Sequence, residues 1–265
     1  MQEEGYPLDG LASFFEKLRN DEILYFKRPP AYLMTHPLSD NRMSAMQERV
    51  QQAPSPTVDL NNEWFKRIQA KVYAYNNTPA ATLRKYLKTD TLEAQYARAI
   101  AYFLNGELDK SLDALERLKG TAADDVYLKD IEGQVYLTKG DLEKAKQLFD
   151  EVTNALPNNP VSRLQLGETL LALGQAEEAI PHLNRVVRDF SYWPRVHQKL
   201  GIAYGKVGKL TQSHISLAEA AIVRKNAQDA TLHLEIAEKN LPDEQPELVR
   251  KIKDLREYIE RMEKL

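Results

Sequence analysis

Residues 133–149 read Gly133-Gln134-Val135-Tyr136-Leu137-Thr138-Lys139-Gly140-Asp141-Leu142-Glu143-Lys144-Ala145-Lys146-Gln147-Leu148-Phe149. A small residue is followed three positions later by an aromatic on the same helical face, Gly140 breaks the pattern, and Ala145 and Phe149, four apart, define a second face. The columns then recur at an interval of 34 residues. Gly167, Leu170, Gly174, Ala179 and Leu183 repeat them, and so do Gly201, Tyr204, Gly208, Ser213 and Leu217. One interval earlier stand Ala99, Tyr102, Gly106, Ser111 and Leu115. Each unit is expected to be a pair of helices around a turn glycine, with the small column where the two helices cross closely.

A period of 34 with small and aromatic columns in phase resembles the tetratricopeptide repeat. The resemblance covers residues 92 to 225 and is best in the second unit, where Gly133, Tyr136, Gly140, Ala145, Phe149 and Pro157 fall on consensus positions. The family's early tryptophan is absent, and only the second unit keeps its terminal proline. The fold class expected is therefore all-α: a tetratricopeptide (TPR) helical-hairpin solenoid of about four clear repeats with degenerate flanking units, preceded by a short helical segment.

Composition agrees with a helical globular chain, at 28 % charged and 43 % hydrophobic residues. The 36 basic and 39 acidic residues nearly balance, so no concentrated positive field points to nucleic acid or an anionic membrane. Apolar stretches are broken by charges within a few residues, and no membrane span is expected. Met1 is followed by Gln2, Glu3 and Glu4 rather than a basic and then apolar leader, so no signal peptide is expected in this chain. With no cysteine, disulfides, thiol nucleophiles and cysteine-based zinc sites are excluded.

Along the chain, Pro7 to Glu22 reads as a helix with Leu11, Phe14, Phe15 and Leu18 on one side, ended by Arg28-Pro29-Pro30. Ser39 or Asp40 is expected to cap a short helix through Arg42, Met46 and Val50. Ala53-Pro54-Ser55-Pro56 denies the chain a helix, which sets a first region at 1–53 and a linker at 54–58. The solenoid is expected over 59–240. Its degenerate first unit would comprise a helix from about 59 to 75, carrying Trp64, Ile68 and Val72, and a second ending near Leu87. A charged helix over 243–265 would cap the far end.

The first 53 residues carry a second resemblance. Gly5-Tyr6-Pro7, Gly10-Leu11, Phe14-Phe15-Glu16-Lys17-Leu18, Pro30-Ala31-Tyr32-Leu33-Met34-Thr35-His36-Pro37 and Arg42 resemble the end of the catalytic domain in periplasmic BepA-like zinc metallopeptidases. Those enzymes join that domain to C-terminal tetratricopeptide repeats, and the Thr-His-Pro element also occurs in related HtpX-like membrane peptidases. The resemblance implies a noncatalytic region that recruits substrate or assembly partners in the periplasm, in outer-membrane protein quality control. It also implies zinc as cofactor of the full-length parent. The required H-E-x-x-H helix and downstream carboxylate ligand are absent from this sequence. They are expected upstream of Gly5, with Met1 the start of a truncated piece or of a natural remnant. No cofactor or peptidase activity is expected of this chain alone. None of His36, His182, His197, His214 and His233 lie three or four apart, so no single helix offers two imidazoles to one metal. By the same resemblance His36 either gates the parent's zinc or caps its loop through hydrogen bonds. The alternative reading is a free-standing TPR adaptor with an unrelated N-terminal arm.

Peptide-binding members of the repeat family use the inner faces of their first helices. The matching positions here are Tyr96, Ile100 and Phe103; Tyr127, Asp130, Gln134 and Leu137; Leu164, Glu168 and Leu171; and Gln198 and Ile202. The Lys and Asn with which some members clamp a chaperone's terminal carboxylates are not at these positions. Asp130 and Glu168 would repel an acidic tail, whereas an extended apolar or mixed segment, an unfolded substrate or an assembly-machinery component would find Tyr, Phe and Leu surfaces. Equally, the apolar members of the set would pack within the solenoid or against the catalytic domain.

Overall fold

The computed structural model describes residues 8–10, 12–14, 16–17, 39–53, 63–122, 125–242 and 245–263. The Thr35-His36-Pro37 element and the 54–58 linker lie outside them. The described helices are α1 (Ser39–Gln52), α2 (Glu63–Asn76), α3 (Pro79–Tyr86), α4 (Leu92–Leu104), α5 (Leu108–Ala122), α6 (Val126–Lys139), α7 (Leu142–Ala155), α8 (Pro160–Ala172), α9 (Ala176–Asp189), α10 (Pro194–Lys206), α11 (Leu210–Val223), α12 (Ala227–Lys239) and α13 (Pro246–Glu263). There is no strand among the described residues. The chain forms two compact units, residues 1–69 and 70–265, and their boundary falls inside α2. In the first unit, Trp64, Phe65 and Ile68 are exposed, while Arg67 is buried with its guanidinium 5.4 Å from the Trp64 ring.

The second unit realises the 34-residue period as paired helices α4/α5, α6/α7, α8/α9 and α10/α11. Each turn between partners is closed in the same way. Gly106, Gly140, Gly174 and Gly208 have φ of 77°, 87°, 80° and 76°, the left-handed region in which a Cβ meets the following carbonyl. In the second unit the Gly140 N–H donates to the Leu137 carbonyl and the Asp141 N–H to that of Tyr136, at 3.2 and 3.0 Å. This paired closure satisfies carbonyls at the helix end that would otherwise be orphaned, and it recurs at the other three glycines. Lys225 makes it too, after α11, with φ of 58° and no glycine to relieve the strain.

The other glycine column sets the helix crossing. A Cβ at Gly133 would lie 2.8 Å from Phe149 Cε1, one at Gly167 2.7 Å from Leu183 Cδ2, and one at Gly201 2.8 Å from Leu217 Cγ. Each second helix thus inserts a large side chain against bare backbone sixteen residues earlier, and Phe149 and Leu183 are fully buried there. The core falls into successive clusters, Leu115, Leu118, Leu128 and Ile131 in one and Phe149, Leu166, Leu170 and Leu183 in the next. At the far end α13 buries Ile252 and Ile259 against Ile215, Ala218 and Leu234, as expected of a cap. Glu219 on α11 links it to the last repeat, lying 3.3 Å from His197 Nδ1 on α10 and 2.7 Å from Lys251 Nζ on α13. Burial by itself would raise the Glu219 pKa, but His197 and Lys251 reverse the shift and hold the carboxyl below its usual range.

Residues 70–76, at the end of α2, pack against the repeats that follow. Lys71 Nζ of α2 sits 5.8 Å from the Tyr127 ring of α6. The Tyr75 hydroxyl also responds to Asp130 and Gln134 of α6. Ala70 and Ala74, fully buried, join the core cluster that contains Tyr96 and Ile100. Residues 70–76 therefore run across the inner faces of α4 and α6. Two alanines one turn apart make this close approach possible.

Substituting Gly133→Ala forces a methyl into Phe149 and is expected to destabilise by about 1–3 kcal/mol. Lys225→Gly removes left-handed strain and is expected to stabilise by about 1 kcal/mol. Urea unfolding of both variants checks the pair; a Gly133→Ala midpoint equal to that of the wild type would refute the close crossing.

Candidate protein-interaction groove

The first helices α4, α6, α8 and α10 turn one face inward, and the twelve residues expected to line that face divide sharply by exposure. Tyr96 and Ile100 are 1 % and 0 % exposed. They are correctly placed on α4 but covered by residues 70–76, so they hold the fold together and offer no surface. Phe103, Tyr127, Gln134 and Leu137 are half-buried, and Leu164 and Leu171 are buried. Gln198 is half-buried, whereas Ile202 is 45 % exposed. The N-terminal half of the inner face is thus filled by the chain's own helix, and the half around α10 is open.

The two acids do not make the groove acidic. Asp130, 5 % exposed, accepts hydrogen bonds from Ser162 Oγ at 2.7 Å and Gln134 Nε2 at 3.1 Å, and Lys71 lies nearby. Burial outweighs these partners and pushes its pKa up. Tyr75 keeps part of its ring in solvent, but its hydroxyl is raised to about 12 by burial and then by the Asp130 charge. Glu168, 8 % exposed, is gripped by Arg195, whose Nε and Nη2 each donate at 2.6 Å to one carboxylate oxygen. Lys199 Nζ stands 3.7 Å from the same carboxylate. The expected repulsion of an acidic segment therefore has no free carboxylate behind it at these two positions.

Sequence reasoning missed Lys71, Tyr75, Arg195 and Lys199. For Arg195 the signal existed: it stands in the column of Tyr127 and Val161, at successive intervals of 34. Lys71 and Tyr75 lie outside the period and could be placed only by the tertiary path of α2.

Histidines lie outside the groove. His197 is buried, bonded through Nε2 to the Ser191 carbonyl at 2.8 Å. His214 and His233, on neighbouring helices, bring their Nδ1 atoms to 3.0 Å. Two helices thus do what spacing within one helix does not. Even so, the described residues assemble no set of three or more His, Asp or Glu able to hold a metal. His36 lies outside the described residues. Nor is any helix among these residues long and apolar enough to cross a membrane.

Comparison with known proteins agrees with this geometry. Residues 92–117 and 136–201 match family models described as tetratricopeptide repeat. The paired helices are tetratricopeptide repeats. Over 199 residues, 70 % of its length, the chain is homologous at 29 % identity to the β-barrel assembly-enhancing protease of Escherichia coli, of which that match covers 39 %. Its counterpart in Yersinia pestis is 25 % identical over 230 residues, 83 % of this chain and 46 % of the relative. The chain thus spans less than half the length of these relatives. A shorter stretch of 84 residues is 36 % identical to mouse aspartyl/asparaginyl β-hydroxylase, covering 32 % of this chain and 11 % of that protein. Among solved structures, MamA AMB-1 superposes with a TM-score of 0.54 at 21 % identity, covering 61 % of this chain and 98 % of that one. That likeness concerns the fold alone.

Burial lowers the pKa of both His214 and His233, and each pairs this with a nearby repulsive group, His233 for the first and Arg224 for the second, while Asp229 partly opposes the shift at His233. A depressed histidine favours the neutral folded form, so its contribution is complete above about pH 6.5, the unfolded value, and is lost as pH falls. Thermal melts from about pH 7.5 to about pH 5.5 are expected to show falling stability, with a shallower loss in His214→Gln. A variant slope equal to wild type would remove the pair as its source.

Proposed function

We propose that this chain is the noncatalytic interaction region of a zinc metalloendopeptidase, and that its repeats recruit unfolded substrate or assembly partners in the periplasm during outer-membrane protein quality control. The observation that carries the reading is an inner face open around α10, with Ile202 presented to solvent on a row of ordered first helices. Homology to proteins named as β-barrel assembly-enhancing proteases supports the setting, and it runs through the repeats that form this face. An extended segment laid along it would gain apolar contact with Ile202 and hydrogen bonds from Gln198. Hydrolysis and its zinc belong to the parent enzyme in this reading, and His36 would act there as a contact to the metal site. Partner recruitment is what these residues do.

A free-standing adaptor is the second reading. The stretch 36 % identical to mouse aspartyl/asparaginyl β-hydroxylase favours it, because that relative is not named as a protease.

With this chain immobilised and an unfolded outer-membrane β-barrel polypeptide as probe, retention is expected. Ile202→Asp should weaken it about tenfold. Leu210→Asp, on an exposed second-helix position, should leave it unchanged. Equal retention by all three proteins would refute a role for the groove. The parent enzyme should lose peptidase activity on chelation, whereas retention by this chain should not change.

A further inference from the structure

The charge around the open half of the groove deepens that reading by naming the chemistry of its partner. Arg195, Gln198, Lys199, Ile202 and Lys206 follow one another at helical spacing and so occupy a single stripe of α10. The Arg195 side chain is 65 % exposed although it holds Glu168, because its planar head makes both bonds along one edge and leaves the rest to solvent. The Lys199 side chain is 34 % exposed. Lys206, one turn beyond the exposed Ile202, has only the Leu171 carbonyl at 3.5 Å as its hydrogen-bond partner on the neighbouring first helix.

Arg195 and Lys199 share one carboxylate, Glu168, while Lys206 meets the Leu171 carbonyl, so the stripe and Glu168 together carry a surplus of two positive charges. On the flanking first helix α12, Glu238 is paired with Arg256 at 2.7 Å and Glu235 also acts on Arg256, while Asp229 is bonded to Asn226 Nδ2 at 2.7 Å near the helix start. The net charge of the whole chain is −3, so this surplus is a local feature of the groove. A cationic stripe with an apolar residue at its centre is complementary to an extended segment that alternates apolar side chains with carboxylates.

We infer that the open half of the groove selects an extended polypeptide segment carrying acidic residues beside an apolar anchor, with the anchor on Ile202 and the carboxylates on Arg195 and Lys206. The inference rests on the groove being a protein-binding site. It also reverses the expectation from sequence, because the inner-face acids are already engaged within the fold.

The test is fluorescence anisotropy of the full chain with three labelled peptides of one length, alternating Leu with Glu, with Gln or with Lys. The Glu peptide is expected to bind about tenfold tighter than the Gln peptide and tighter still than the Lys peptide, with the preference shrinking in high salt. Lys206→Glu should reduce that preference, and Ile202→Asp should weaken all three; both positions are exposed, and circular dichroism confirms folding. Glu168→Gln keeps a hydrogen-bond partner for Arg195 while removing the competing charge, so it should tighten the Glu peptide severalfold. If all three peptides bind alike and Ile202→Asp weakens them alike, charge selection is overturned while the groove reading stands. An acidic preference unchanged in both Lys206→Glu and Ile202→Asp places the site elsewhere and overturns the inference. Failure of every peptide to bind overturns both.

Discussion

The solenoid depends on one repeated contact, a large side chain of each second helix pressed onto a residue without a Cβ in the first. Phe149 on Gly133, Leu183 on Gly167 and Leu217 on Gly201 bring paired helices closer than any other residue type allows. The buried side chains of the units then gather in consecutive clusters along the array. Where Ala99 replaces glycine, Ser111 Oγ donates to the Ala99 carbonyl at 2.8 Å, so the crossing remains close. Ser213 makes the same bond to Gly201 at 2.7 Å.

Close crossing also decides which residues remain available for function. Once the second helices are committed to the core, the first helices turn their other face inward, and what happens there depends on what lies over it. At α4 and α6, residues 70–76 lie over it, turning Tyr96 and Ile100 into core and leaving Asp130 in a satisfied polar cluster. At α10 nothing among the described residues covers Ile202, and the ionic groups around it pair with a surplus of cations. One structural element with one period therefore yields a self-filled half and an open half.

The architecture was legible in the chain because packing in a repeat is local and columnar. Positive φ at Gly106, Gly140, Gly174 and Gly208 follows from a glycine period kept in phase through the repeats. The inner-face set was half legible. A column reports which way a side chain points and not whether another segment lies above it. Charge was misread for the same reason: Glu168 is acidic in sequence, while its Arg195 partner stands 27 residues away on the next first helix.

Sequence alone determined the number and register of the repeats, the turns that close them and the chemistry excluded by the absence of cysteine. Those properties are set within a unit or between adjacent units, where a 34-residue period carries all the information required. Tertiary structure alone decided that residues 70–76 reach both α4 and α6, that His214 and His233 meet, and that Arg195 and Lys199 close on Glu168. Each of these arises between residues that no period relates, so it depends on the path of the chain through space and on which charges that path brings together.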